Sequence, residues 1–489
     1  MDNTLHGYKL ITYYLGIFMI MIGCIVLIPL VVIPFYQEEA KYSYCFIIPG
    51  IVSILFGYLI RYLLKNNGLG NLERHQDSLL VILLWVTAIV FSSFPWMLTG
   101  KYNFTQAIFE CTSGYTTTGL SVVDVSVCPK IFLLYRSVML FVGGIGLVLV
   151  LTCAISDRYG LRLFNAEGHP DKLLPNLKKS ARVILSIYSC YIIIGIIAYC
   201  IAGMPLFDAI NHSIAALSTG GFSTEKESLL AYHSVAIDII TDVLMLLGGT
   251  NFLIHLYLFK GQIKKIWCHC EIKFIVFFML FSIPIMACML YFNDYASFGS
   301  SLNIAAFQFI SALTTTGFSN VPSIAALPSS FLFSMIILMV IGAGIGSTGG
   351  GIKQYRFVAS IKGMYYNFKK NLYPHKTIFT NYITKGGERI VLSDEEVGAT
   401  HNFVVLYLLI LVIGTLIFTC YGYSLMESLF EFASSLGTVG VSIGVTNYFA
   451  PKGILWTSAF GMFIGRLEIL VVFNALARVK LDIVKRGNK

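Results

Sequence analysis

Runs of about 20 apolar residues recur from one end of this chain to the other, and they decide what it can fold into. That length of helix spans a hydrocarbon core of roughly 30 Å. Every peptide group inside such a core needs an internal hydrogen-bond partner, so the runs must fold as helices. A soluble fold is excluded as well. Of 489 residues, 56% are hydrophobic and 12% charged, which leaves too few polar groups to cover a surface of that size. The runs place spanning helices at about 10–35, 43–64, 78–98, 131–154, 182–203, 234–259, 272–292, 329–345, 403–422 and 453–475. The first run is too long for a removable signal peptide and lacks a cleavage site.

A net charge of +9 invites a nucleic-acid partner, but its placement follows a membrane instead. Lysine and arginine gather in 61–74, 158–182, 260–273, 353–389 and 478–489, while the alternate loops hold few, among them Lys101, Lys130 and Lys452. This is the positive-inside pattern. With ten spans it sets both termini in the cytoplasm, and no nucleic acid is expected. Eleven cysteines show no paired framework, and most lie in apolar runs, where cysteine behaves as a small hydrophobe. Cys268-His269-Cys270 lacks the further ligands a zinc site needs.

Four short segments between the spans, on the outer side, carry the chemistry. They read NFTQAIFECTSGYTTTGLS, PLFDAINHSIAALSTGGFS, SLNIAAFQFISALTTTGFS and SLMESLFEFASSLGTVGVS. Aligned on Gly119, Gly221, Gly317 and Gly440, they recur at intervals of 102, 96 and 123 residues. Two residues before each glycine stands Thr117, Thr219, Thr315 or Thr438, and two after it Ser121, Ser223, Ser319 or Ser442. An apolar residue comes directly after each glycine: Leu120, Phe222, Phe318 or Val441. Nine residues before the glycine the side chain is always polar: Glu110, His212, Gln308 or Glu431. Repetition at this spacing, each time between two spans, marks an internal fourfold repeat.

Non-helical backbone at membrane depth survives only where protein buries it or a watery cavity meets it. Each segment reads as a short helix ending at Thr-x-Gly, with the chain then returning outward. Glycine reaches φ > 0, so successive carbonyls can face one side. Four such strands around one axis give rings of oxygens able to replace the water shell of a potassium ion. The short helices point the negative end of their dipoles at the cavity below.

With these motifs the chain resembles the Trk/Ktr/HKT superfamily of potassium transporters, and within it the TrkH type, over nearly its whole length. The resemblance implies an all-α integral membrane fold: four tandem membrane-pore-membrane repeats around one central pore, plus an N-terminal pair of transmembrane helices. The divisions expected are 1–75 for the extension, 76–160, 161–262, 263–400 and 401–489 for the repeats. It further implies a potassium-binding filter made of Thr117, Thr118, Gly119 and Leu120; Thr219, Gly220, Gly221 and Phe222; Thr315, Thr316, Gly317 and Phe318; and Thr438, Val439, Gly440 and Val441. Some sodium-conducting relatives carry serine at a filter glycine, so four glycines favour potassium. Gly220 and Val439 depart from the threonine of the other repeats and suggest a less symmetric filter. Also implied are a homodimer, a cytosolic TrkA-type nucleotide-binding regulatory subunit, a bacterial inner-membrane location, and no cofactor beyond the potassium ions.

Two features in the inner half are candidate gates. The run from Gly342 through Gly344, Gly346, Ser347, Thr348, Gly349, Gly350 and Gly351 to Lys353 spells GxGxxG, but it comes after an apolar helix instead of a strand, which argues against a phosphate site. A helix-packing seam is one alternative. A loop lying across the pore is what the resemblance implies. Arg466 sits within the last apolar run, where arginine is costly and by default functional. At about 4 Å from a passing cation its charge would cost roughly 4 kcal/mol at an effective dielectric of 20. Pairing with nearby Glu468 is the structural alternative. Arg136 is expected to snorkel to the outer interface with no part in the ion path. Glu110 and Glu431 are expected to brace the filter from behind. Asp124, Glu225 and Glu227 lie just after filters on the outer side and are candidates for drawing cations to the mouth. Glycines 143, 144, 146, 248 and 249 read as close helix packing.

No nucleophile–base pair of catalytic type appears, so an enzyme is not expected. A potential of 100 mV is worth about 2.3 kcal/mol per charge, so passive uptake suffices. A symporter coupling potassium to protons or sodium, through Glu468 or His212, is the alternative.

Overall fold

The computed structural model describes residues 4–5, 7–64, 68–69, 76–147, 177–373 and 380–487. The expected boundary at 160/161 and most of the basic stretch 158–182 lie outside them. The N-terminal pair, α1 (Tyr8–Leu27) and α2 (Ser43–Leu63), packs through glycines. A Cβ on Gly57 would collide with the carbonyl of Gly16, and one on Gly23 with that of Gly50. Small residues thus let two backbones approach where no hydrophobic drive separates helix from lipid. Short strands β1 (Thr4–Leu5) and β2 (Gly68–Leu69) pair in parallel.

Next along the chain come four units of one design. Each has an outer helix, a short helix, an extended stretch and an inner helix. Unit one is α3 (Gln76–Leu98), α4 (Phe104–Tyr115) and α5 (Lys130–Ile145). Unit two is α6 (Leu177–Ile201), α7 (Leu206–Leu217) and α8 (Val235–Gly248), continued by α9 (Phe252–Phe259). After the short α10 (Ile263–Trp267), unit three is α11 (Cys270–Phe292), α12 (Phe298–Leu313) and α13 (Ser329–Ile341). Then come α14 (Gln354–Leu372) and an antiparallel hairpin of β3 (Tyr382–Lys385) and β4 (Glu388–Val391). Unit four is α15 (Asp394–Cys420), α16 (Leu425–Leu436) and α17 (Lys452–Leu467), with α18 (Ile469–Gly487) after it.

Local chemistry sets the short helices. Capping boxes start α4 (Asn103 with Gln106) and α16 (Ser424 with Glu427), satisfying otherwise orphaned N–H groups at helix entry. Pro129, Pro328 and Pro451 stand at the N-caps of inner helices α5, α13 and α17.

Two expected spans are not continuous helices. The run 234–259 bends by 107° between α8 and α9, and 453–475 bends by 96° between α17 and α18. Composition reports apolarity and not direction, so a broken run reads like a straight one. Gly342 (φ +74°) stops α13, as its glycine cluster suggests, and Gly146 (φ +100°) stops α5. The remainder of the 131–154 run lies outside the described residues. Glu468 takes φ +60° at the fourth break. Counted from the filter glycines to Gly146, Gly249, Gly342 and Glu468, the breaks fall 27, 28, 25 and 28 residues on. Among the described residues six helices are long and apolar enough to cross a membrane, or eight counting each bent pair as one.

Candidate ion pathway

The four short helices end alike. Thr117, Thr219, Thr315 and Thr438 adopt φ of 54°, 52°, 56° and 52°. The next N–H then bonds back to the helix: Thr118 to Ser113, Gly220 to Ala215, Thr316 to Ser311 and Val439 to Ser434, at 2.8–2.9 Å. This is the C-terminal turn that usually takes glycine. Threonine there costs about 1–3 kcal/mol of strain, the kind of cost that structures bear at working sites. The repeat glycines come two residues later with φ of 94°, 57°, 86° and 94°.

Those strands close on one another. A Cβ added to Gly119 would run into the carbonyl of Gly220, one on Gly221 into that of Thr316, one on Gly317 into that of Val439, and one on Gly440 into that of Thr118. Each unit abuts the next, and the fourth abuts the first. Leu120, Phe222, Phe318 and Val441 are buried beside the ring. Outside it opens a funnel of about 670 Å³ whose lining includes all four glycines, Asp124 and Glu225. Hydrogen bonds from Ser126 hold the exposed Asp124 carboxyl below the usual carboxylate range, so it stays charged at the mouth.

The polar residue nine before each glycine reaches the serine two after it. Ser121 donates to Glu110 at 3.0 Å, and Ser442 to Glu431 at 2.7 Å. His212 Nε2 meets Ser223 Oγ at 3.0 Å, and Gln308 Nε2 donates to Ser319 at 3.3 Å. Nδ1 of His212 lies 2.9 Å from the Asp208 carbonyl, which only accepts. That fixes the proton on Nδ1 and leaves Nε2 to accept from the serine in the neutral ring. Both glutamates also accept backbone N–H groups beyond the ring, from Val122 and from Ile443 and Thr446. A second bracing column, six residues before the glycine, is one the sequence did not single out. Ser113 and Ser434 accept from the glycine N–H at 3.0 and 3.1 Å, and Ser311 donates to the Phe318 carbonyl. The same alignment holds the signal; Ala215 interrupts it in unit two.

Arg136 does not snorkel. It is 3% exposed, bonds Glu110 at 3.0 Å and the Ser223 carbonyl at 3.1 Å, and lies over the Phe222 ring at 3.8 Å. A buried arginine is stable only where a counter-charge and hydrogen bonds meet it, and Glu110 supplies the reason the arginine turns inward. It ties the backing of unit one to the strand of unit two.

Below the ring, the run from Gly342 to Lys353 is a loop folded on itself, with Ala343 N bonding Gly350 O, and a Cβ on Gly351 would strike Gly342. Its tip meets the filter threonines. Thr117 donates to the Thr348 carbonyl at 3.3 Å, Thr219 and Thr348 hydroxyls meet at 2.9 Å, and Gly350 N donates to Thr315 at 2.8 Å. A Cβ on Gly350 would strike the Thr438 hydroxyl. Thr348 also donates to the Gly248 carbonyl, Ser347 to Gly344, and the Lys353 ammonium to Gly349. Phe252 N donates to Gly346 O. The alternative pairing of Arg466 with Glu468 is not formed. Arg466 donates to the Thr348 carbonyl and to that of Gly143, both at 2.6 Å, while Glu468 pairs with Arg356 at 2.7 Å. The left-handed turn at Glu468 parts the two side chains. Glycines 143, 144, 248 and 249 allow close packing, as expected: Cβ atoms there would strike Tyr115, Ser218, Leu217 and Thr314.

Known proteins resemble the chain along nearly its full length. The family model TrkH, described as cation transport protein, matches residues 43–482. The Trk system potassium uptake protein TrkG of Escherichia coli is 30% identical over 486 residues, covering 96% of this chain and 98% of that protein. An uncharacterized cation transporter of Methanocaldococcus jannaschii, MJ1485, is 29% identical over 484 residues and 97% of each chain. The crystal structure of the potassium transporter TrkH from Vibrio parahaemolyticus superposes with a TM-score of 0.83 at 25% identity, over 95% of this chain and 98% of that one.

Proposed function

The chain belongs to the TrkH family of cation transport proteins, transporters and not enzymes, and on that premise we propose that it takes up potassium by a channel-like route. Thr-x-Gly strands of the four units form the filter, and the loop of Gly342–Lys353 gates it from below. The observation that carries this reading is the closed cycle of glycine-to-carbonyl contacts, 119 to 220, 221 to 316, 317 to 439 and 440 to 118. Four rows of inward carbonyls can substitute for the hydration shell of a large monovalent cation. Gly220 and Val439 make the second layer uneven, which weakens binding without closing the path.

The loop supports the gating role by where it lies: its tip engages the threonine hydroxyls at the inner mouth, and Arg466 brings a fixed positive charge there. Conduction requires both to move. The coupled-symport alternative loses its named residues, since His212 is engaged behind the filter and Glu468 is paired with Arg356. The working unit proposed is a homodimer in the bacterial inner membrane, with cytoplasmic termini and a TrkA-type cytosolic regulatory subunit bound to the basic inner surface. Purified protein in vesicles tests the reading: rubidium should enter down a potassium gradient with its reversal potential independent of pH. A reversal potential that tracks pH or sodium would replace the channel with a symporter.

A further inference from the structure

The loop has a second anchor, on the side away from the pore. Ile345 lies three residues before Thr348. Its N–H donates to the Glu271 carboxylate at 2.7 Å. Glu271 is 1% exposed, in the first turn of α11, with His269 Nδ1 3.8 Å from its other oxygen. The Ile345 side chain is buried in a small cluster distinct from the main core. Cys270, Tyr355 and Ala359 of α14, Ile383 of the hairpin, and Val397 of α15 complete that cluster with Leu392. Backbone and side chain of one loop residue are therefore both tied to the inner end of unit three.

The two anchors differ in kind. Arg466 grips the loop at Thr348, inside the ion path, and it does so from unit four. Glu271 grips it from α11, which packs against α14 and the hairpin strand β3. Just before both, Gly344 N bonds the Gly249 carbonyl at 2.9 Å. Glu271 accepts the Ile345 N–H through a carboxylate, and a charged acceptor makes the stronger bond to a backbone N–H.

We propose that Glu271 is a positioning residue that holds the loop seated beneath the filter threonines, and that the hairpin and α14 reach the loop through it. The proposal rests on the reading of the loop as the gate. Movement of the hairpin and α14 together with the start of α11 would shift Ile345 and withdraw Thr348 from Thr117, Thr219 and Arg466.

The test compares Glu271→Gln and Glu271→Asp in full-length protein that also carries Ser347→Cys. Two quantities are read: the rate at which a thiol reagent labels position 347, by peptide mass spectrometry, and rubidium flux per folded molecule in vesicles. Replacing a charged acceptor by a neutral one should raise the labelling rate by about five- to tenfold, with a parallel rise in flux. Aspartate keeps the charge but shortens the reach, and should fall between parent and glutamine. An unchanged labelling rate in the glutamine variant overturns the role of Glu271. Faster labelling with unchanged flux keeps Glu271 as the anchor and rejects the loop as the gate. Thermal stability in detergent accompanies both, and a large loss in the glutamine variant with unaltered labelling also counts against the proposal.

Discussion

The outer half of this protein does one thing four times, and the inner half, among the described residues, takes three different courses. Outside, each unit repeats the left-handed threonine, the left-handed glycine, and the bridge from the residue nine before to the serine two after. Inside, all four inner helices break near the same position, yet beyond the breaks of units two, three and four the chain takes three different courses. Unit two turns into α9, unit three into the loop, and unit four through Glu468 into α18. A ring of ligands around a sphere gains from symmetry. A plug across one axis needs a single copy, and duplicates would clash at the centre. On the proposed reading, binding is built by repetition and control by departure from it.

The largest expected effect comes from breaking the repeated half. Serine at Gly119, Gly221, Gly317 or Gly440 meets both a left-handed backbone, at about 1–3 kcal/mol, and a neighbouring carbonyl. Each variant should lose most potassium uptake or admit sodium, and all four should fail similarly in rubidium and sodium uptake assays. Next is Arg136→Gln, which leaves the Glu110 carboxylate buried without its partner and should cost about 3–5 kcal/mol of stability, seen as a lower melting temperature in detergent. Retained stability there would mean that unit one, like unit four with its Glu431, is held by hydrogen bonds from neutral donors to the carboxylate. In the unrepeated half, Arg466→Ala should raise rubidium flux about tenfold with the fold retained, since it removes a charge-assisted bond to Thr348. Glu468→Gln should not copy it, because its partner is Arg356. The smallest effect sharpens the repeat: Ser434→Ala should cost about 1 kcal/mol, and unit two already carries Ala215 at that place.

The repeated half is legible in the sequence because repetition exposes itself. Columns of threonine, glycine, serine and a polar residue stand out when four segments align, and the bridge between two of those columns is what the structure adds. The left-handed threonines are not legible, since threonine rarely takes that conformation and only the helix ending demands it. Partners distant in sequence are hidden too. Arg136 and Glu110 are 26 residues apart on separate helices, and Arg466 meets Thr348 across 118 residues. Hydropathy places the inner runs but cannot see them bend. The glycine run is legible as a break in a helix, and its tip under the filter is not.

The division between a selecting outer half and a closing inner loop is put at risk by rubidium flux per folded molecule, measured in vesicles for the parent chain and for a variant lacking residues 346–350. Flux should rise in the variant with the preference for potassium over sodium unchanged, because the four outer strands select and the single inner loop only closes. Flux equal to the parent, or entry of sodium alongside rubidium, would contradict that division.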